Sequence, residues 1–189
     1  LQYEMSYTNI INMLDLAGIP VLAKDRKDVF VIGGGPCACN PEPLADVFDF
    51  FVLGDGEEVI NEILDVYAKW KKQGRARIEF LEEVAKIEGV YVPLFYDVSY
   101  NEDGTIGEVI PNNKHAKATI KKRIIKNLDE VYYPTKLIVP YMEVIHDRMM
   151  LELFRGCIRG CRFCQAGMIY RPVRERSKDK LMDFAKELI

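Results

Sequence analysis

Two short runs limit the fold more than anything else in the chain: VFVIGGG, from Val29 to Gly35, and FDFFVLG, from Phe48 to Gly54. Each is continuously apolar, rich in β-branched or aromatic residues, and closed by glycine. That is the pattern of a strand covered on both faces, as in parallel sheets whose crossover helices lie on either side. Helical patterns flank both runs. Ile10, Ile11, Leu14 and Ala17 form a stripe over residues 4 to 17, ended by Gly18. After Gly54, the residues Ile60, Ile63, Leu64 and Tyr67 share a face, and Asp55 and Glu58 have the spacing of a capping box. A third stripe, Ile78, Leu81, Val84, Ala85 and Ile87, covers 76 to 89 and ends at Gly89, while PEPLADVF reads as a short helix with proline near its start. Helices alternating with buried strands predict an α/β fold, specifically the latter part of a doubly wound parallel sheet over residues 1–89.

The character changes after Gly89. Residues 90–147 contain several prolines, a hairpin turn at NEDG (101 to 104) and the basic stretch KHAKATIKKRIIK, and they predict a β-rich connector. From 148 to 189 the order is strand (RMMLELFRGC), cysteine loop, then a helix from about Ser177. The chain starts at Leu1, and its last helical pattern, LMDFAKELI, runs to Ile189 without a stop signal; an internal piece of a longer protein is expected. With 189 residues and 49% hydrophobic content the chain can bury a core, and a net charge of −3 creates no field that would gather nucleic acid. No apolar run approaches the ~20 residues of a membrane span, and the first residues lack the order of a signal peptide. Five cysteines suit reduced, metal-binding thiols better than a disulfide framework, so a cytoplasmic protein is expected.

Three of those cysteines, Cys157, Cys161 and Cys164, lie in FRGCIRGCRFCQAG with Cys-x-x-x-Cys-x-x-Cys spacing. One loop of that length can wrap a single inorganic centre. Structural zinc wants four ligands, and the nearest further donors in the sequence are His146, Cys37 and Cys39. A four-iron cluster held by three thiolates instead keeps one iron open for chemistry. Zinc and unliganded thiols remain the alternatives. Gly156 and Gly160 permit the tight backbone such a loop needs, and Phe163 offers an apolar lid or stacking surface.

This spacing, with an aromatic residue directly before the last cysteine and a strand before the loop, resembles the signature of radical S-adenosylmethionine (radical SAM) enzymes. The resemblance implies that Cys157, Cys161 and Cys164 hold a 4Fe-4S cluster whose open iron is chelated by S-adenosylmethionine, with Phe163 near the adenine. It implies reductive cleavage of S-adenosylmethionine to methionine and a 5′-deoxyadenosyl radical, fed by an external electron donor and acting on a substrate the sequence does not name. It also implies a (β/α) barrel of which residues 148–189 are only the first βα unit, so that this stretch alone should be inactive.

The glycine-rich loop is a second feature. Gly33 to Ala38 loosely fits Gly-x-Gly-x-x-Ala, but Pro36 and the late start of the next helix argue against a dinucleotide fingerprint. Strand, GGGP, short helix, FDFFVLGDGEE and helix are together more similar to the latter half of the cobalamin-binding domain that precedes the barrel in one radical SAM group. That similarity would place Gly33, Gly34, Gly35, Gly54 and Gly56 in loops beside a cobalamin tail. The Asp-x-His-x-x-Gly element that supplies a cobalt ligand is absent from these residues. The whole chain most resembles an uncharacterised subgroup of cobalamin-domain radical SAM proteins. The simpler account of these glycines is a sharp turn, and of Asp55, Gly56 and Glu57 the start of a helix. Cys37 and Cys39 are two where a second cluster, as in the methylthiotransferase branch, would need three, and they are expected to be functionless thiols. His115 is expected to be solvated and His146 to pair with Asp147. Arg171, Arg174 and Arg176 form either a solvated run or an anion site near the loop. The alternative function is an α/β module that binds a protein or RNA partner and carries a structural metal.

Overall fold

The structure, a computed structural model, describes residues 1–138, 140–143, 145 and 149–188. Over them the chain divides into two compact units, Leu1–Ile124 and Ile125–Ile189. The first contains α1 (Tyr7–Leu16), β1 (Ile32–Gly33), β2 (Phe50–Val52), α2 (Val59–Gln73), α3 (Arg77–Val84), β3 (Val90–Tyr91), β4 (Tyr96–Tyr100) and β5 (Ile106–Pro111). The second contains β6 (Phe154–Arg155), α4 (Ala166–Ile169), β7 (Arg174–Glu175) and α5 (Lys178–Leu188). His146 and Asp147 lie outside the described residues.

The class is α/β, with strands shorter than the apolar runs that foretell them. β1 pairs parallel to β2, with Ile32 opposite Phe50 and Gly33 opposite Phe51. β2 pairs antiparallel to β3, with Phe51 opposite Tyr91 and Val52 opposite Val90. Among the described residues this sheet has three strands, only one pair of them parallel. Its mixed direction has a simple cause: two helices follow β2 in succession, and the second returns the chain to the end from which a strand must run back. PEPLADVF forms a 3-10 turn, Glu42–Leu44, in place of an α-helix.

β2 is the centre of the unit because alternate side chains leave it on opposite faces. Phe50 and Val52 join Val59, Ile63, Phe80, Leu81 and Val84 under α2 and α3. Phe51 joins Leu14, Ala38, Leu44, Val47, Phe48 and Tyr91 on the face covered by α1 and the 3-10 turns. Gly74 closes α2 in the left-handed conformation (φ +61°). At the other end of α2 the N-cap is Glu58 with no side-chain capping bond, so the capping box expected of Asp55 and Glu58 does not form; the Glu58 carboxylate instead accepts from Arg123 Nη2 (3.0 Å). α3 starts on half a capping box: Glu79 accepts the Ala76 amide (2.9 Å), and alanine has no oxygen to return the bond.

Below β2 sits a buried charge cluster. Asp49 accepts the Val31 amide (2.7 Å) and pairs with Arg26 (3.3 Å) and Arg77, while Arg26 donates to the Pro20 (2.9 Å), Val21 (3.1 Å) and Val47 carbonyls. Arg77 also lies 3.9 Å over the Phe30 ring. One carboxylate thus fixes the loop before β1, the start of β2 and the start of α3.

β4 and β5 form the expected hairpin, with its turn held by Asp103, which accepts from the Thr105 amide (3.0 Å) and hydroxyl (2.6 Å). In the second unit, Ile125, Leu128 and Val131 form a small core, and Tyr133 stacks on Phe184 at 5.0 Å. α5 begins where Ser177 Oγ accepts the Lys180 amide (3.2 Å), while Asp129 accepts from the Ser177 amide (2.9 Å). Among the described residues no helix is long and apolar enough to cross a membrane.

Replacing Asp49 with alanine leaves two guanidiniums facing each other without their anion. The expected loss is about 3–5 kcal/mol of stability, read as a lower urea midpoint with an unchanged slope.

Candidate functional site

The three-cysteine loop leaves β6 and returns through α4 to β7, which pairs antiparallel with β6 through Phe154 opposite Glu175 and Arg155 opposite Arg174. Its base is fixed by backbone packing. Gly156 turns through φ +95°, and a Cβ there would come within 2.8 Å of both the Tyr170 and Pro172 carbonyl oxygens. Arg171 Nη2 donates to the Arg159 carbonyl (3.3 Å). Glycine at 156 is therefore required by the close return of residues 170 to 173, as the sequence reading anticipates in kind; Gly160, by contrast, faces open space.

The tip of the loop is exposed. Cys157 and Cys161 are exposed, Cys164 is half-buried, and Phe163 is 92% accessible. The Arg159 amide donates to Cys157 Sγ (3.4 Å), and the Cys164 amide to the Cys161 carbonyl (3.1 Å). All three thiols are carried on one loop, but among the described residues no set of three His, Cys, Asp or Glu side chains converges on a point that could hold a metal ion. The donor set fits a three-thiolate centre in its chemistry: sulfur ligands only, accessible, with an amide N–H already aimed at one of them.

Of the arginines behind the loop, Arg171 is exposed and Arg174 half-buried, while Arg176 is not solvated. Arg176 is buried, donating to the Leu128 carbonyl and to Glu152 (2.8 Å), with its guanidinium 5.2 Å from the Tyr133 ring and 5.5 Å from that of Phe184. Arg155 binds the same carboxylate, from Nε to Glu152 Oε1 (2.7 Å) and from Nη2 to Oε2 (3.1 Å). Burial works against the charge on Glu152, but the two arginines outweigh it and hold the carboxyl below its usual range. Arg174 donates to the Ile125 carbonyl (2.9 Å). No periodicity distinguishes Arg176 from its neighbours, so the sequence carries no sign that it is the buried one.

The glycines singled out for a cofactor loop lie in the first unit. A Cβ on Gly33 would meet the Phe51 ring at 2.5 Å, one on Gly35 (φ +92°) the Leu1 carbonyl oxygen at 2.9 Å, and one on Gly54 (φ +103°) the Arg123 backbone. Only Gly34 and Gly56, of these five, have space beside them. At Gly33, Gly35 and Gly54 the space a side chain would take is filled by protein. Cys37 is buried and donates no metal geometry; burial, then the nearby Glu4, pushes its thiol up, and burial raises Cys39 against the pull of Lys122. His115 is half-buried, its amide donating to Asn113 Oδ1 (2.9 Å). A cleft of about 800 Å³ opens beside Arg77, Tyr96 and Tyr100, at the end of β2 away from Gly54. Arg26 and Arg77, which line it, are already committed to Asp49.

Comparison with known proteins adds an independent line. Residues 1–93 match the family model for radical SAM proteins, N-terminal. The chain is 32% identical over 190 residues to an uncharacterized protein of Methanocaldococcus jannaschii, MJ0966, an alignment covering 99% of this chain and 33% of that relative. The chain thus spans about a third of the length of the curated relative it matches. No solved structure matches. The family match supports a relation to radical SAM proteins.

Two measurements follow from this geometry. With limiting iodoacetamide at pH 8, mass mapping should find Cys157 and Cys161 alkylated well before Cys37, which is buried and has less thiolate because its pKa is raised. Glu152 has the opposite shift. Its folded pKa lies below the unfolded value, so its contribution to stability is present above the usual carboxylate range and is lost as pH falls through the folded pKa. Glu152→Gln should flatten that acid limb of the stability curve.

Proposed function

We propose that this chain is part of a radical SAM enzyme in which Cys157, Cys161 and Cys164 are the protein ligands of a 4Fe-4S cluster. The observation that carries the reading is that two signals share no residue: the family match lies at 1–93, and the three-cysteine spacing at 157–164. A zinc site or a chance cluster of thiols would give no reason for the first to accompany the second.

The chemistry such a centre supplies when bound is one-electron delivery to the sulfonium of S-adenosylmethionine, breaking a carbon–sulfur bond to give methionine and a 5′-deoxyadenosyl radical. This chain's residues have the supporting tasks. The three thiolates hold the centre and leave one position for S-adenosylmethionine. The Arg159 amide, 3.4 Å from Cys157 Sγ, offsets negative charge on that sulfur. Phe163, unpacked at the tip, is the surface proposed for the adenine. An external electron donor and a substrate would complete the reaction.

In this reading residues 1–89 are the cobalamin-binding-like front domain, related to a doubly wound sheet, 90–147 the connector, and 148–189 the opening βα unit of the barrel. The division between the compact units, after Ile124, falls inside that connector, and the β4–β5 hairpin belongs to the first unit. Five free thiols suit a reducing compartment, and the cytoplasm is the proposed location.

Anaerobic reconstitution with iron and sulfide tests the proposal. About four iron atoms per chain are expected, with the visible absorption of a cluster, and replacing any one of Cys157, Cys161 or Cys164 with alanine should remove most of both. One zinc per chain and no iron would overturn it in favour of a binding module with a structural metal.

A further inference from the structure

The glycine that ends β2 is held by an interaction no strand pattern announces. A Cβ on Gly54 would overlap the Arg123 carbonyl oxygen and lie 2.7 Å from the Arg123 nitrogen. Arg123 is bonded to both sides of that glycine: its amide donates to the Leu53 carbonyl (2.7 Å), and its carbonyl accepts the Asp55 amide (3.0 Å), forming a parallel bridge. Gly89, also at positive φ (+88°), completes the contact. The Leu53 amide donates to the Gly89 carbonyl (2.8 Å), and a Cβ on Gly89 would meet Leu53 O at 2.9 Å and Arg123 N at 3.1 Å.

Three backbone segments therefore meet at the carboxyl end of β2, and two glycines let them approach. The Arg123 side chain fastens the third segment to α2, donating to Glu58 (3.0 Å) and Glu62 (2.6 Å). The Glu58 hydrogen bond, opposed by burial and joined by that of Glu62, raises the guanidinium pKa, so the Arg123 side chain stays charged. Open α/β sheets bind ligands in the crevice beyond the carboxyl ends of their strands. Here the chain itself supplies a strap at that end, while the space beside Gly33 is occupied by the Phe51 ring.

We infer that the glycine loops at the end of β2 are a joint packed by protein: a strap centred on Arg123 closes that end, and Gly33 and Gly54 serve this packing and make no cobalamin site in this chain. The two open glycines mark the contrast, since Gly56 has nothing within 4 Å and no strained φ. The inference does not rest on the cluster assignment, and neither iron content nor thiol ligation bears on it.

Hydroxocobalamin is the probe, applied to the 189-residue chain by equilibrium dialysis, with thermal melts of three variants alongside. Gly54→Ala is expected to lower the midpoint by roughly 5–10 °C, and Gly56→Ala to leave it within about 1 °C. Arg123→Ala keeps the strap backbone and should lower it by about 2–4 °C, which keeps the test informative if Gly54→Ala does not fold. No saturable uptake is expected in the wild type or in Arg123→Ala. Saturable binding by either, with a dissociation constant below roughly 100 µM, would overturn the inference. So would Gly54→Ala melting with the wild type.

Discussion

The first unit depends on one strand being buried from both sides. Phe50 and Phe51 are adjacent in sequence, both fully inaccessible, and point to opposite faces of β2. Every helix of the unit packs against one face or the other, so the strand's three residues decide where α1, α2 and α3 can lie. The burial also forces the charge arrangement below. Asp49 directly precedes Phe50, and a carboxylate carried that far inside must be neutralised; two arginines, one from the loop before β1 and one from the first turn of α3, do so. Packing above and ion pairing below are consequences of the same strand placement.

The second unit solves its problem with far less apolar material. Its buried aliphatic cluster is Ile125, Leu128 and Val131. The rest of its coherence comes from Arg176, sandwiched near Tyr133 and Phe184 and bonded to Glu152 and the Leu128 carbonyl. Tyr133 in turn donates to the Met150 carbonyl (2.6 Å) and accepts from the Glu152 amide (3.2 Å). This network ties residues 128, 133, 150 to 152 and 176 to 184 into one body beneath the cysteine loop.

What the sequence revealed, and what it withheld, follows from the range of the forces involved. The helices at 7–16, 59–73, 77–84 and 178–188 and the hairpin turn at Asp103 are legible because stripe, cap and turn chemistry act within a few residues. The sheet's direction is not, since it depends on α2 and α3 following one another before β3 pairs. Gly54 is legible as a special position, but the segment it meets is not. A glycine that admits a cofactor and one that admits Arg123, 69 residues away in the chain, look the same when read alone. Arg176 shows the same limit: its burial is set by Tyr133, Leu128 and Phe184, none of them nearby in sequence apart from the last. The three cysteines are readable as a set because their spacing is local.

The cysteine loop pairs a packed base with an unpacked tip, and that division suits the cluster proposed for it. Gly156 is locked against residues 170 to 173, and β6 is bonded to β7, so the two ends of the loop are placed before any ligand acts. Between them Ile158 and Phe163 stay exposed, and no apolar contact gathers the thiols. Three sulfurs that packing had already drawn together would carry mutual repulsion once ionised and would narrow the choice of centre to one size. In the proposed reading, leaving their convergence to the bonds they make would put the ligation energy into closing the tip, while the base, held by Arg171, Arg176 and Glu152, keeps the loop registered to its strand.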